Sequence, residues 1–534
     1  MAAILLIPFM LAAYYQLHLS PVEHPQQHST YAFLITILIT LSIAAICHYF
    51  GRNVQGRLYL KESILTVVLV WVLVPALSAL PFLFNHTLDS FPQAYFEMVS
   101  GYTTTGSSVL FPKKYDEQTG KEIPYHKVIE GVIPVKYEFY GTVKPIIDPA
   151  NGKVLFEGVE AVGQALLFWR SFTNWLGGIG IILLFILIFP VIGVGSKVLY
   201  YTEAPGPIKD SFTPRIKENA LQLFKIYCTL TVAQIFFLLI TNQNLSYFDA
   251  ITITFATLAT GGMSTKNASI ASFDNLNTEI VVMIFMILGS ISFALYYYIV
   301  KGKIYKLNNP EFYLFIFIVL VSGGLCSWYI YGTLQELSID ATNQVYSWGE
   351  SLRYGFFQTI SAISTTGFST ANFDKWPYSA QSLILIIMNF GGMVGSTCGG
   401  LKTIRLYMLF RILQYKVESM FRPQNVRIFR IGSNEVDNLT ASSVLGFFVV
   451  LVTLSIVASF LFILDGIDPE TAISSTISNV NNVGFAFRMA GPTESYAFMS
   501  NFSLYLSSFL MILGRLEFYT LLAILVPAFW KENA

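Results

Sequence analysis

Apolar residues dominate the chain in long blocks. Runs of roughly 18 or more can cross a bilayer as a helix. They fall at 2–18, 30–50, 62–85, 163–192, 219–241, 278–300, 310–331, 380–413, 440–464 and 502–529, which predicts ten spans. The first is short and lacks a basic leader or an obvious small-residue cleavage site, so it reads as a retained helix, not a signal peptide. Four connections carry a shorter apolar run followed by a stretch rich in Thr, Ser and Gly: 92–110, 247–265, 355–370 and 470–487. These are too short to cross. Non-helical backbone at membrane depth is tolerated only where protein or water surrounds it, so they read as re-entrant pore loops.

Aligned, the loops read Thr104-Thr105-Gly106-Ser107-Ser108, Thr260-Gly261-Gly262-Met263-Ser264, Thr365-Thr366-Gly367-Phe368-Ser369 and Asn482-Val483-Gly484-Phe485-Ala486. The repeated unit is span, half-helix, loop, span. It predicts an all-α polytopic membrane protein: two N-terminal helices in 1–59, then repeats at 60–195, 218–300, 308–415 and 438–530 around one pore. A long outer insert, 111–160, lies within the first repeat. A pore that strips water from a cation must replace it with oxygens, and carbonyls aimed at one axis need a backbone that visits φ > 0. Thr and Ser would add hydroxyls. The candidate ion ligands are Thr104, Thr105, Gly106, Gly261, Gly262, Thr365, Thr366, Gly367, Asn482, Val483 and Gly484. The alternative is four glycine-softened helix caps without an ion path.

Basic residues set the direction. With the N-terminus inside, the inner connections hold Arg52, Arg57 and Lys61; Lys197, Lys209, Arg215 and Lys217; Lys301, Lys303 and Lys306; and seven basic residues between Lys402 and Arg430. The short outer connections carry only Lys266, Arg353, Lys375 and Arg488. Both termini are expected to be cytoplasmic, with all four loops entering from outside.

Composition sharpens this. Of 534 residues 54% are hydrophobic and 12% charged, with 32 basic against 32 acidic. A soluble fold of this size could not cover its surface with so few charges, and a net charge of zero gives no reason to expect nucleic acid. The six histidines all lie in the first quarter, and Cys47, Cys228, Cys326 and Cys398 form no zinc pattern; buried free thiols are the plain reading. No phosphate-binding glycine motif is present, so any energy input or regulation comes from elsewhere. No cofactor is expected. A polytopic membrane enzyme would need a polar constellation that the spans hardly offer beyond Arg515 and Glu517.

The span 380–413 is interrupted by Asn389-Phe390-Gly391-Gly392-Met393-Val394-Gly395-Ser396-Thr397-Cys398-Gly399-Gly400. So many glycines cannot hold a regular helix. The run reads as a flexible intramembrane loop obstructing the pore, with Gly391, Gly392, Gly395, Ser396, Gly399 and Gly400 as gate residues; close helix packing is the alternative. Arg515 lies within the last span, where an unpaired charge is expensive. Glu517, two residues on, points elsewhere. Arg515 is expected to reach the pore or the broken loop, where its charge would raise the barrier to cations; an ion pair with a neighbouring helix is the alternative. Glu97 and Arg170 read as structural charges that snorkel from helix ends.

The loops GYTTTGSS, TLATGGMST, STTGFST and NNVGFAF resemble the pore loops of the Trk/Ktr/HKT superfamily of cation transporters. The stretch Phe168–Pro207 is more specific. Trp169-Arg170, Trp175-Leu176-Gly177-Gly178-Ile179-Gly180-Ile181-Ile182, Gly193-Val194-Gly195 and Glu203-Ala204-Pro205-Gly206-Pro207 resemble the Trk-type bacterial potassium uptake subunits, as do the two extra N-terminal helices. The insert and the fourth loop depart furthest from that pattern. The resemblance implies potassium as the ion in the filter, with Gly106 favouring it over sodium, and a gating loop facing the last-helix arginine. It further implies a homodimer in the bacterial inner membrane and a cytosolic, nucleotide-binding, TrkA-like regulatory ring. Segments Lys402–Arg430 and Gly195–Lys217 are candidate docking surfaces for that ring, or simple topology-setting charge. A sodium- or proton-coupled cation symporter is the same-class alternative. Gly106→Ser is expected to weaken discrimination against sodium with folding intact.

Overall fold

In the computed structural model the described residues are 1–18, 29–52, 60–116, 118–130, 134–148, 152–180, 216–333, 345–422, 430–431, 434–435 and 438–531. Two helices, α1 (Ala2–His18) and α2 (Ser29–Gly51), precede the repeats and pack on each other; α2 lies against the first repeat's opening helix and α1 against its closing one. Each repeat then opens with a long helix: α3 (Leu60–Phe84), α6 (Ile216–Thr241), α10 (Pro310–Ile330) and α14 (Asn438–Leu464). Each is followed by a half-helix: α4 (Phe91–Tyr102), α7 (Tyr247–Leu258), α11 (Trp348–Ile363) and α15 (Pro469–Asn481). Three half-helices start on side-chain caps at Ser246, Ser347 and Asp468. The third begins seven residues before the expected 355, because Ser347 and Glu350 form a reciprocal capping box there.

The closing helices depart from the expected plain spans. Gln164–Ile179 (α5) is the described part of 163–192; the remainder, with Gly193–Gly195 and Glu203–Pro207, lies outside the described residues. The second-repeat span divides into α8 (Leu276–Ser290) and α9 (Phe293–Val300), bent by 91°. The third divides, as its glycines predict, into α12 (Tyr378–Ile387) and α13 (Thr403–Phe421). The fourth divides into α16 (Asn501–Arg515) and α17 (Tyr519–Leu525), bent by 119°. Five described helices are long and apolar enough to cross a membrane unbroken: those spanning 29–51, 61–84, 220–241, 310–330 and 440–464. The breaks at Ser292 and Glu517 carry no glycine run, so hydropathy did not mark them. At Ser292 another chain segment claims the backbone, and at Glu517 the side chain pairs with Arg405, as shown below.

The repeats interlock cyclically. The closing helix of one repeat packs on the half-helix of the next: α5 on α7, α8 on α11, and α16 on α4. The fourth repeat therefore meets the first. The insert reinforces that seam. It forms antiparallel hairpins, β1 (Lys114–Tyr115) with β2 (Glu122–Ile123), β3 (Tyr125–Ile129) with β4 (Val135–Phe139), and β5 (Ile146–Ile147) with β6 (Val154–Phe156). Tyr137 of β4 donates to the Asp468 carboxylate at 2.7 Å and accepts from the Asp468 backbone N–H at 2.8 Å. Asp468 is also the cap of α15. Burial, ahead of that carboxylate, pushes the Tyr137 hydroxyl up, which keeps it a proton donor. Lys127 pairs with Glu494 of the fourth repeat's outer loop. Of the thiols, Cys326 and Cys398 are buried and Cys228 half-buried, but Cys47 is exposed on α2, contrary to expectation.

Candidate functional site

Each half-helix ends in the same way. The residue that stops it stands in the left-handed region: Thr104 (φ 54°), Thr260 (52°), Thr365 (52°) and Asn482 (55°). A threonine there costs about 1–3 kcal/mol, and glycine or asparagine is the usual choice. The turn swings the chain away from the helix axis. Two residues later come Gly106, Gly262, Gly367 and Gly484, with φ of 86°, 63°, 86° and 109°.

These four glycines converge head to tail. A methyl group on Gly106 would overlap the Gly261 carbonyl; on Gly262, the Thr366 carbonyl; on Gly367, the Val483 carbonyl; and on Gly484, the Thr105 carbonyl. The ring closes on itself. Among the described residues no hydrogen-bond donor reaches the carbonyl oxygens of Thr105, Gly261, Thr366 or Val483. Buried carbonyls are ordinarily paired. A ring of unpaired oxygens is what a dehydrated cation requires, and the half-helix C-termini add partial negative charge. Two of the hydroxyls pair locally: Thr105 with Thr103, and Thr366 with Ser364, both at 2.7 Å. Gly106→Ser cannot leave the ring undisturbed, because its side chain must displace the Gly261 carbonyl from a left-handed backbone position.

Behind the first two loops lies a buried ion pair. Arg170 donates through Nε to Glu97 at 2.7 Å, with both side chains at most 2% exposed. It also reaches the Ser264 carbonyl (3.1 Å) and the Ser108 hydroxyl (3.2 Å). Glu97 accepts from the Val109 N–H at 3.0 Å. These residues do not snorkel. Their charges face each other and tie loop one to loop two.

Directly below, the segment 388–402 crosses under the ring. It is closed by backbone bonds from Gly391 N to Leu401 O and from Thr403 N to Gly392 O. The break between α8 and α9 receives it: Met393 N donates to Ser290 O, Thr397 N to Gly289 O, and Phe293 N to Gly395 O. Its tip touches the left-handed residues above. Gly399 N donates to Thr365 Oγ1 at 2.9 Å, and Thr260 Oγ1 reaches Thr397 Oγ1 at 3.3 Å. A methyl group on Gly399 would overlap the Asn481 carbonyl, so the close approach excludes any larger residue. Gly395 and Gly400 supply left-handed corners, and Ser396 caps a turn onto Met393 O.

Arg515 binds both layers. Its guanidinium donates to Thr104 Oγ1 (3.1 Å), Thr397 O (2.8 Å) and Gly177 O (2.5 Å). Glu517, beyond the break, turns away and pairs with Arg405. Sequence reading missed several members of this layer. Lys402 is buried and donates to Cys398 O; Arg405 is buried and stacks 3.9 Å over the Phe447 ring; Glu311 accepts from Val394 N at 2.8 Å. Lys402 and Arg405 are therefore removed from the proposed docking surface. Their only signal was a pair of charges immediately after a glycine run. Gly195–Arg215 lies outside the described residues.

The comparisons with known proteins agree with this architecture. Residues 149–531 match the TrkH family model, described as a cation transport protein. The Trk system potassium uptake protein TrkH of Escherichia coli is 31% identical, over 94% of this chain and 92% of that protein. Its Salmonella typhimurium counterpart is 30% identical over the same shares. The crystal structure of the potassium transporter TrkH from Vibrio parahaemolyticus superposes with a TM-score of 0.76 and 26% identity, over 99% of this chain and 98% of that one. With four repeats, a closed carbonyl ring and a broken helix beneath it, the chain belongs to the TrkH family of cation transport proteins.

Proposed function

We propose that the chain is the membrane subunit of a potassium uptake system. Gly106, Gly262, Gly367 and Gly484 with their preceding carbonyls form the selectivity filter, and 388–402 with Arg515 forms the gate. The observation that carries this is the closed ring of unpartnered carbonyls standing on a hydrogen-bonded plug. Potassium is the substrate, consistent with what the relatives are named for. The test is uptake of rubidium by cells lacking their own potassium uptake systems. Expression of this chain is expected to restore it; a folded, membrane-inserted protein that does not would overturn the reading. Uptake that required sodium or a proton gradient would instead favour the coupled symporter. Gly106→Ser is expected to lower the sodium concentration that halves rubidium uptake, by about 1–2 kcal/mol of lost discrimination if one carbonyl ligand is displaced. A reduced yield of folded protein is also expected.

The same reading places both termini in the bacterial cytoplasm, supported by the inner-face basic residues. It includes a homodimer and a TrkA-like nucleotide-binding ring as partner. The exposed residues Arg411 and Lys416 on α13, and Arg422 just after it, offer the ring basic groups.

A further inference from the structure

The fourth glycine differs from the other three in what its own carbonyl meets. Gly484 O accepts from Ser107 Oγ at 2.9 Å and from the Tyr496 hydroxyl at 3.3 Å. Among the described residues no donor reaches the carbonyl oxygens of Gly106, Gly262 or Gly367. A carbonyl oxygen has two lone pairs, and two hydroxyls face this one, Ser107 closer to it than to its other acceptor, Asn479 Oδ1 at 3.4 Å. Ser107 and Tyr496 are each 2% exposed, so water does not compete for these bonds.

The donors are built in. After the filter glycine the four repeats carry Ser107, Met263, Phe368 and Phe485, so only the first repeat supplies a hydroxyl there. Tyr496 is fixed by its N–H on Ser108 O at 2.9 Å and by the Phe96 ring at 5.4 Å. The N–H of Gly484 donates to Ser478 Oγ at 3.0 Å. Both the N–H and the C=O of the fourth glycine are thus held by protein.

We propose that Ser107 and Tyr496 are specificity-determining residues: they withdraw the Gly484 carbonyl from the glycine layer, leaving three carbonyls for the cation where the fold has four positions. The inference rests on the filter reading above. A site with fewer oxygens discriminates less strongly in favour of a large ion that takes many ligands. Removing both hydroxyls frees the oxygen to turn inward.

The test uses the full chain, purified and reconstituted in liposomes, with rubidium as the transported probe and sodium as competitor. Ser107→Ala with Tyr496→Phe is expected to lower half-saturating rubidium roughly three- to tenfold and to raise half-inhibiting sodium similarly. Ser107→Ala alone is expected to give less than about twofold, because one donor remains. A folded double variant with wild-type values overturns the proposal. So does weaker rubidium binding, which would mean that the hydroxyls hold the oxygen in place for the ion. Should Tyr496→Phe not fold, Tyr496→Leu replaces it in the double variant with Ser107→Ala, and wild-type competition curves in that folded pair overturn the proposal. Gly106→Ser separates the two failures. If it shifts sodium competition while the double variant does not, the filter stands and this inference alone falls.

Discussion

Arg515→Ala is expected to raise rubidium flux through the reconstituted protein, without any cytosolic partner, by at least about tenfold. The guanidinium holds Thr397 of the loop, Thr104 of the first filter turn and Gly177 at the end of α5. Hydrogen bonds to a charged group contribute about 1.5–3 kcal/mol each. Losing them from the closed state alone moves the open fraction by a factor of ten or more. The fixed positive charge beneath the carbonyl ring disappears at the same time. Deleting residues within Gly391–Gly400 is expected to act in the same direction. The two effects should not add fully, because Arg515 and Thr397 touch. Arg515→Lys keeps the charge but cannot span three acceptors with a planar fork, so its flux should fall between wild type and alanine. Equal flux for lysine and wild type would assign the barrier to charge alone. Lower flux in both Arg515→Ala and the deletion, with folded protein, would mean that loop and arginine support the open pore.

The second large effect concerns stability. Arg170→Met is expected to destabilise the protein by about 3–5 kcal/mol, since it leaves the Glu97 carboxylate buried and uncompensated. Glu97→Leu combined with Arg170→Met should recover much of that loss, because no orphan charge remains. Thermal unfolding in detergent for the two single variants and the double variant gives the cycle. A double variant no more stable than Arg170→Met would show that the bonds to Ser264 and Ser108, not the ion pair, carry the energy. The same variants should broaden ion competition, since Arg170 joins two filter loops.

Sequence periodicity sufficed for the four-repeat frame because spans of twenty apolar residues separated by Thr-Gly turns have few other uses. The convergence of Gly106, Gly262, Gly367 and Gly484 was legible for the same reason: a positive φ and a crowded axis both demand glycine. Arg515 was legible because an intramembrane charge needs a partner, and the partner was nearby in kind if not in sequence. What stayed hidden depends on long-range partners. The bends at Ser292 and Glu517 follow from the loop 388–402 and from Arg405 claiming backbone and side-chain space, and neither break has a local composition signal. The left-handed threonines at 104, 260 and 365 run against local propensity, and their hydroxyls bond Arg515, Thr397 and the Gly399 N–H. Glu97 and Arg170 read as charges snorkelling from helix ends; only the packing of α5 against α4 and α7 shows them paired. Lys402 and Arg405 were read as surface charge because hydropathy alone cannot distinguish a charge at the membrane face from one turned inward under a filter.

The ring joins the first and last quarters of the chain, and this sets when it can form. Ser107 meets Gly484, and Thr105 meets Asn482, across 377 residues, whereas Glu97 and Arg170 are only 73 apart. At roughly 5–20 residues per second of synthesis, the first filter turn waits about 20–75 s for its neighbour on the fourth. The ion pair is complete long before. During that interval the nascent protein holds the paired Glu97 and Arg170 beside a ring still open on one flank. On the proposed reading, the last quarter to be made is the one that both completes the ring and delivers the arginine beneath it.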